Sequence, residues 1–267
     1  KLFFVIAIVA IIIYTFRDSA GPILKELSTT APWVVITICG AGVMYNVVEG
    51  WINYSFAKQY NPQFTYRMGV ESAFYCSFYR VATLGSGAGV AAVYYFNEKG
   101  IPVFQGTGMY MVEYAIHKVT IAIFSIIFFL LNFGFMKEHY SEYFNLLIAG
   151  YVLTAVIATA LLLFCCSKKF HGILLFLVDK LNRKGKFDAQ AAMLREQCGI
   201  LEDAAGMLLT KGKLIASIVA KNLLKFAFCY GIPFVILYRE YGLTLLQSWA
   251  VTSLAFMLAA VIPSPAG

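Results

Sequence analysis

Five long apolar runs, at about 1–16, 31–56, 106–135, 141–166 and 214–238, limit what this chain can become. A bilayer offers no water to backbone N–H and C=O groups, so only helices and closed barrels cross it. A helical crossing needs about 20 apolar residues. The composition agrees: 60% of the 267 residues are hydrophobic and 13% are charged, against roughly 25% charged in a soluble domain. The expectation is an all-α integral membrane protein. The opening run KLFFVIAIVAIIIYTF has a signal-like lysine and apolar core, but Thr15-Phe16-Arg17-Asp18 offers no small-residue cleavage site. It reads as the remains of a first spanning helix, in a chain that begins at Lys and so reads as a fragment.

Two further apolar stretches, about 67–97 and 243–267, are broken by Gly or Pro. Between the spans lies a polar segment, 167–213, with nine basic and five acidic residues. Phe170, Ile173, Leu174, Leu177 and Leu181 recur there at helical spacing among lysines. That pattern fits an amphipathic helix on an anionic membrane surface and equally a cytosolic helical hairpin. Asp188 caps a second helix with Leu194, Cys198, Leu201 and Leu208 on one face. The expected organisation is a first membrane region, 1–166, a basic cytoplasmic linker, 167–213, and a second membrane region, 214–267.

The net charge of +7 belongs beside membrane segments, where it points to anionic headgroups and the positive-inside rule. No nucleic-acid motif accompanies it. The six cysteines form no CxxC and mostly sit in apolar runs as small buried hydrophobes. The three histidines lack partners at ligand spacing, so neither a metal nor a cofactor is expected.

Orientation follows from Lys and Arg. With 167–213 inside, a complete crossing by 67–97 puts Lys58 and Arg67 outside. A stretch that turns back at TLGSGAG, residues 83–89, keeps Lys58, Arg67 and Lys99 inside, and leaves the outer loop 17–31 neutral. The charges favour the turn. Glycine suits its tip, where unusual backbone angles and close approach are needed, and the returning half-helix from Gly89 to Asn97 aims a positive N-terminus into the membrane.

The chain ends on a similar stretch. Residues 82–89, ATLGSGAG, align without gaps on residues 260–267, AVIPSPAG, with Ala, Ser, Ala and Gly identical. The first tip is approached from inside and the second from outside, the pattern of an inverted-repeat transporter. The architecture expected is about five spanning helices plus two oppositely oriented re-entrant helical hairpins. The returning half of the second is expected to lie past Gly267.

The order of elements, with FYRVATLGSGAGVAAVYYFNEKGI, VEYAIHKV, a basic amphipathic linker and a final VIPSPAG, resembles the membrane region of bacterial lysylphosphatidylglycerol synthetases, the multiple peptide resistance factor family. The resemblance covers nearly the whole chain. It departs at the first tip, where Ser86 and Ala88 stand without the family's proline and paired glycines. It implies a translocase in the bacterial cell membrane that moves aminoacylated phosphatidylglycerol from the inner to the outer leaflet, which repels cationic antimicrobial peptides. Membrane phospholipids are then its partners, with a lysyltransferase domain or protein as a further one, and a homo-oligomer is left open. The soluble domain that transfers lysine is not in this sequence, so no catalytic residue is expected.

A charge at the bilayer centre costs at least about 2.5–3.5 kcal/mol on insertion scales, so each one is a candidate. Asn46, Glu49 and Asn53 share one helix face. Tyr110, Glu113 and His117 share another, and Lys221 and Lys225 are four apart. Arg80 precedes the first tip. For an aminoacylated phospholipid headgroup, Arg80, the amides around Ser86, Gly87 and Gly89, and Lys225 are the phosphate candidates. Glu49, Glu113 or Glu71 are the candidates for the lysyl ammonium groups, and Ser264 occupies the second tip. The structural alternatives are a snorkelling Lys221, an Arg67–Glu71 surface pair, a helix contact for Glu49, and a shallow position for Glu113, His117 and Lys118. A lipid-modifying enzyme, an ion-coupled small-solute transporter and a docking scaffold are the competing functions.

Overall fold

In the computed structural model, residues 21–22, 24–25, 28–83, 87–181 and 188–259 are described. They are helical throughout, with turns between helices and no strands among them. Helices α1 (Pro32–Ala57), α2 (Tyr66–Ala82), α3 (Ala88–Glu98), α4 (Val103–Leu131) and α5 (Phe133–Tyr140) are followed by α6 (Phe144–Cys166), α7 (Lys168–Leu181), α8 (Asp188–Leu209), α9 (Gly212–Tyr230), α10 (Ile232–Tyr241) and α11 (Leu245–Ala259). Four stretches are long and apolar enough to cross a membrane: Pro32–Ala57, Val103–Leu131, Phe133–Ala160 and Gly212–Tyr238. The run at 1–16 and the second tip at 260–267 lie outside the described residues, as do 84–86 of the first tip.

Local chemistry sets the helix ends. Pro32 starts α1, where a missing N–H costs nothing. Thr65 caps α2 by accepting from the Met68 amide (3.3 Å). The run expected at 106–135 breaks at Asn132, whose Nδ2 donates to the Phe128 carbonyl (2.9 Å) and to the Leu246 carbonyl across the bundle (3.2 Å). Gly242 ends α10 with φ of 61°, a conformation glycine adopts without penalty.

Helix α1 packs antiparallel on α2, and their backbones nearly touch. A methyl group at Gly69 would lie 2.3 Å from the Gly50 carbonyl oxygen, and one at Gly50 would lie 2.5 Å from the Val70 Cα. Glycine on both faces lets apolar helices interlock without a hydrophobic driving force. Two side-chain bonds fix the register: Ser77 Oγ donates to Asn46 Oδ1 (2.6 Å) and Asn53 Nδ2 donates to Ser72 Oγ (2.9 Å). In this register the end of α2 lies level with Ala41 and Gly42. That is about 15 Å short of the start of α1 at 1.5 Å per residue. Helix α3 then returns along α2 and α4, with its Gly89 against the Tyr110 ring and its Phe96 against Gly106.

Helix α4 is the hub, packing on α3, α6, α8, α9 and α11. Near its start, Met109 and Val112 join Ile52, Phe56, Phe64, Phe96 and Ile101, together with Ala205, Leu208 and Ile218 from α8 and α9. The α8 helix of the basic segment is therefore part of this core. Gly108 lets Leu201 and Ala204 approach α4, and Tyr60 Oη donates to the Ala204 carbonyl (2.7 Å). Burial pushes the Tyr60 phenol up from its ordinary pKa.

Candidate functional site

Three spanning-length stretches bring a polar side chain to their midpoints. Tyr45 is the fourteenth of 26 residues, His117 the fifteenth of 29, and Lys225 the fourteenth of 27. These midpoints meet. Lys225, fully buried on α9, forms an ion pair with Glu49 of α1. Its ammonium also donates to His117 Nδ1 of α4 (3.1 Å). Because an ammonium can only donate, a neutral His117 in this contact carries its proton on Nε2. The same ammonium sits over the rings of Tyr45 (5.2 Å) and Phe226 (5.4 Å), which adds cation–π attraction in a dry setting.

Arg80 arrives from the end of α2. Its guanidinium lies against the Tyr45 hydroxyl, within electrostatic range of Glu49 and Tyr110. Glu113 is one turn before His117 on α4. It is buried and in range of Glu49, Lys225 and Arg80. Its carboxylate makes no hydrogen bond to any described residue, whereas Glu49 is held by Lys225. Asn222, fully buried beside His117, donates to the Ile218 carbonyl (3.2 Å).

A cavity of about 370 Å³ opens beside this cluster. Arg80, His117, Tyr45 and the Asn46–Ser77 pair supply its polar wall. Ile121, Tyr230 and Phe256 supply much of its apolar wall. Two apolar lining residues also face outward: Val81 is 70% exposed and Phe256 49% exposed. The cavity therefore has a polar inner wall and an apolar rim at the bundle's surface.

Of the sequence candidates, Arg80, Glu49, Glu113 and Lys225 are drawn together, with Arg80 alone of the four lining the cavity. Gly87 and Gly89 stand at the start of α3 and are engaged by the protein itself. The Gly87 amide donates to Thr83 Oγ1 (2.6 Å), and a methyl at Gly89 would lie 2.8 Å from the Tyr110 ring. Ser86 and Ser264 lie outside the described residues. Glu71 is elsewhere, at an exposed α2 position, paired with Arg67 (2.8 Å) and accepting from Tyr95 Oη (3.1 Å). Lys221 bonds Ser55 Oγ (2.7 Å) and sits over Trp51. Lys118 sits over Tyr114 (5.2 Å).

Sequence reasoning missed Tyr45, Ser77 and Asn222. Tyr45 was findable, since it lies four residues before Glu49 on the face already carrying Asn46. Ser77 and Asn222 carry no such signal. No three His, Cys, Asp or Glu side chains among the described residues gather as metal ligands. No protein-family model, curated protein or solved structure matches this chain.

Proposed function

We propose that this chain translocates an anionic or aminoacylated phospholipid, of the phosphatidylglycerol type, across the bacterial cell membrane. The observation that carries the reading is the cavity: a guanidinium at mid-depth of a helical bundle, reached past a rim of exposed apolar residues. A small solute needs an enclosed polar site. A lipid needs its charged headgroup inside and its acyl chains outside, and Arg80 with Val81 and Phe256 divides the labour in that way. Glu49 and Glu113 behind the cavity offer carboxylates to an aminoacyl ammonium. The exposed rim favours a lipid over the small-solute transporter.

The α2–α3 pair is best understood as a re-entrant hairpin, because α2 stops level with the middle of α1 and α3 returns beside Tyr110. Its open end gathers charge. Asn61 Nδ2 donates to the Lys99 carbonyl (2.7 Å), Lys211 Nζ donates to Gln59 Oε1 (2.7 Å), and Lys58 and Arg67 flank them in sequence. By the positive-inside rule this end, with the basic segment 167–213, is cytoplasmic. The resemblance to the membrane region of lysylphosphatidylglycerol synthetases supports the same substrate class and a role in resistance to cationic peptides.

The test is headgroup translocation in proteoliposomes, with lysylphosphatidylglycerol and plain phosphatidylglycerol followed in separate arms. Wild type should exceed empty liposomes. Arg80→Ala should slow translocation roughly ten- to a hundredfold, the worth of one or two charge-assisted hydrogen bonds. Translocation that survives Arg80→Ala and Glu49→Gln would move the site elsewhere. A correctly inserted wild type no faster than empty liposomes would end the lipid reading.

A further inference from the structure

The central cluster holds two carboxylates and two basic side chains, and they are not equivalent. Glu49 and Lys225 are in contact and neutralise each other. What remains is Arg80, on the cavity wall, and Glu113, buried without a hydrogen bond to any described residue. The titratable groups facing Glu113 are Glu49 from α1, Arg80 and Cys76 from α2, Lys225 from α9, and Tyr110 and His117 from its own helix. Helices α6 and α11, which also pack on α4, carry no Asp, Glu, Lys, Arg or His. Among the described side chains, no charged one from α3 or α8 lies in range of it.

Two cations are in range of Glu113, Lys225 and, more weakly, Arg80, and only Arg80 lines the cavity. An anion at Arg80 takes that charge for itself. Glu113 is then left beside Glu49, a like charge, and shares with it the single Lys225 ammonium. A buried carboxylate in that position takes a proton. Glu49 is the weaker candidate because protonating it would strand the Lys225 ammonium. His117 is weaker too, since protonation would set an N–H against the ammonium that its Nδ1 now accepts from.

We propose that Glu113 is the proton-binding group of this site, and that its protonation is coupled to occupancy of the cavity at Arg80 by a phosphate-bearing anion, so that anion and proton are carried together. This rests on the cavity being the headgroup site proposed above. The reciprocity of linkage fixes the sign: if the anion promotes protonation of Glu113, lower pH tightens the anion.

The experiment is calorimetric titration of the purified chain in detergent with dihexanoyl-phosphatidylglycerol. Buffers of different ionisation enthalpy report proton uptake, and a parallel arm uses glycerol phosphate. Wild type should take up protons as it binds, with affinity falling by about 5- to 150-fold as pH rises, the usual range of coupling between two sites. Glu113→Gln should bind with an affinity that no longer depends on pH and should take up no proton. Glu113→Asp should restore uptake, and it carries the test if the glutamine variant does not fold. Proton uptake with glycerol phosphate as well as with the lipid would uphold the coupling and name a soluble phosphate as a substrate. Lipid binding to wild type without proton uptake, or uptake that persists in Glu113→Gln, would overturn the coupling and leave the headgroup site standing. A monodisperse wild type that binds neither probe would overturn both.

Discussion

The two halves of α4 do opposite work. From Tyr110 to Lys118 the helix presents Glu113 and His117 to the charged cluster. From Ile121 to Leu131 it presents Phe124 and Phe128 to an aromatic stack with Phe226, Tyr230 and Trp249. Phe124 meets Phe226, Tyr230 and Trp249 edge to face, the arrangement their quadrupoles favour. Both halves bury large side chains, so burial does not separate them. Geometry under perturbation does. An aromatic stack loses contacts gradually, whereas a buried ion pair that loses one partner leaves an uncompensated charge. Ile121, where the apolar half begins, lines the cavity's apolar wall together with Tyr230 of α9. The cavity thus lies between the aromatic stack and the charged cluster.

The largest effect should come from Lys225→Met, which strands Glu49. Removing one partner of a buried pair costs about 3–5 kcal/mol, and thermal unfolding in detergent should show it. The double variant Glu49→Gln with Lys225→Met should recover much of that loss, because it removes both charges. Both variants should lose translocation. A double variant as unstable as the single one would mean that Lys225 acts by packing, and the contrast with the aromatic half would collapse.

Next comes Gly69→Val. The backbone contact with Gly50 leaves no room for it, and overpacking should cost about 1–3 kcal/mol. It also pushes α2 away from α1, so Arg80 should leave the cavity wall. The expected signature is a lower melting temperature together with weaker lipid binding. Loss of stability with binding intact would show that Arg80 is placed by the cluster itself and not by the α1–α2 interface.

Much of the helical class was legible in the sequence because hydropathy needs no partner to be read. Arg80, Glu49, Glu113 and Lys225 were legible one by one for the same reason: a charge in an apolar run is conspicuous. Their meeting was not legible, since it depends on the crossing of α1, α4 and α9, which spacing within each run does not encode. The Gly50–Gly69 contact was hidden too, because a glycine at a helix interface looks in sequence like any other. The basic segment offered two readings, and its amphipathic face fits a membrane surface as readily as a protein core. In the structure Cys198, Leu201 and Leu208 of that face are buried, and His171 of α7 lies 3.8 Å from Glu202 of α8.

The smallest effect tests the apolar half. Trp249 Nε1 donates to the Ala227 carbonyl (3.0 Å), and its ring packs on Phe128 at 4.8 Å between centroids. Trp249→Phe keeps most of the ring contact and removes one hydrogen bond, which should cost roughly 0.5–1.5 kcal/mol. Translocation and its pH dependence should stay as in wild type, because Trp249 does not itself line the cavity and its hydrogen bond goes to a backbone carbonyl. The measurement is the translocation rate at matched fractions of folded protein. A slowing comparable to that of Arg80→Ala, at nearly unchanged stability, would mean that the aromatic half moves during transport. The helix would then have one working length instead of a working half and a supporting half.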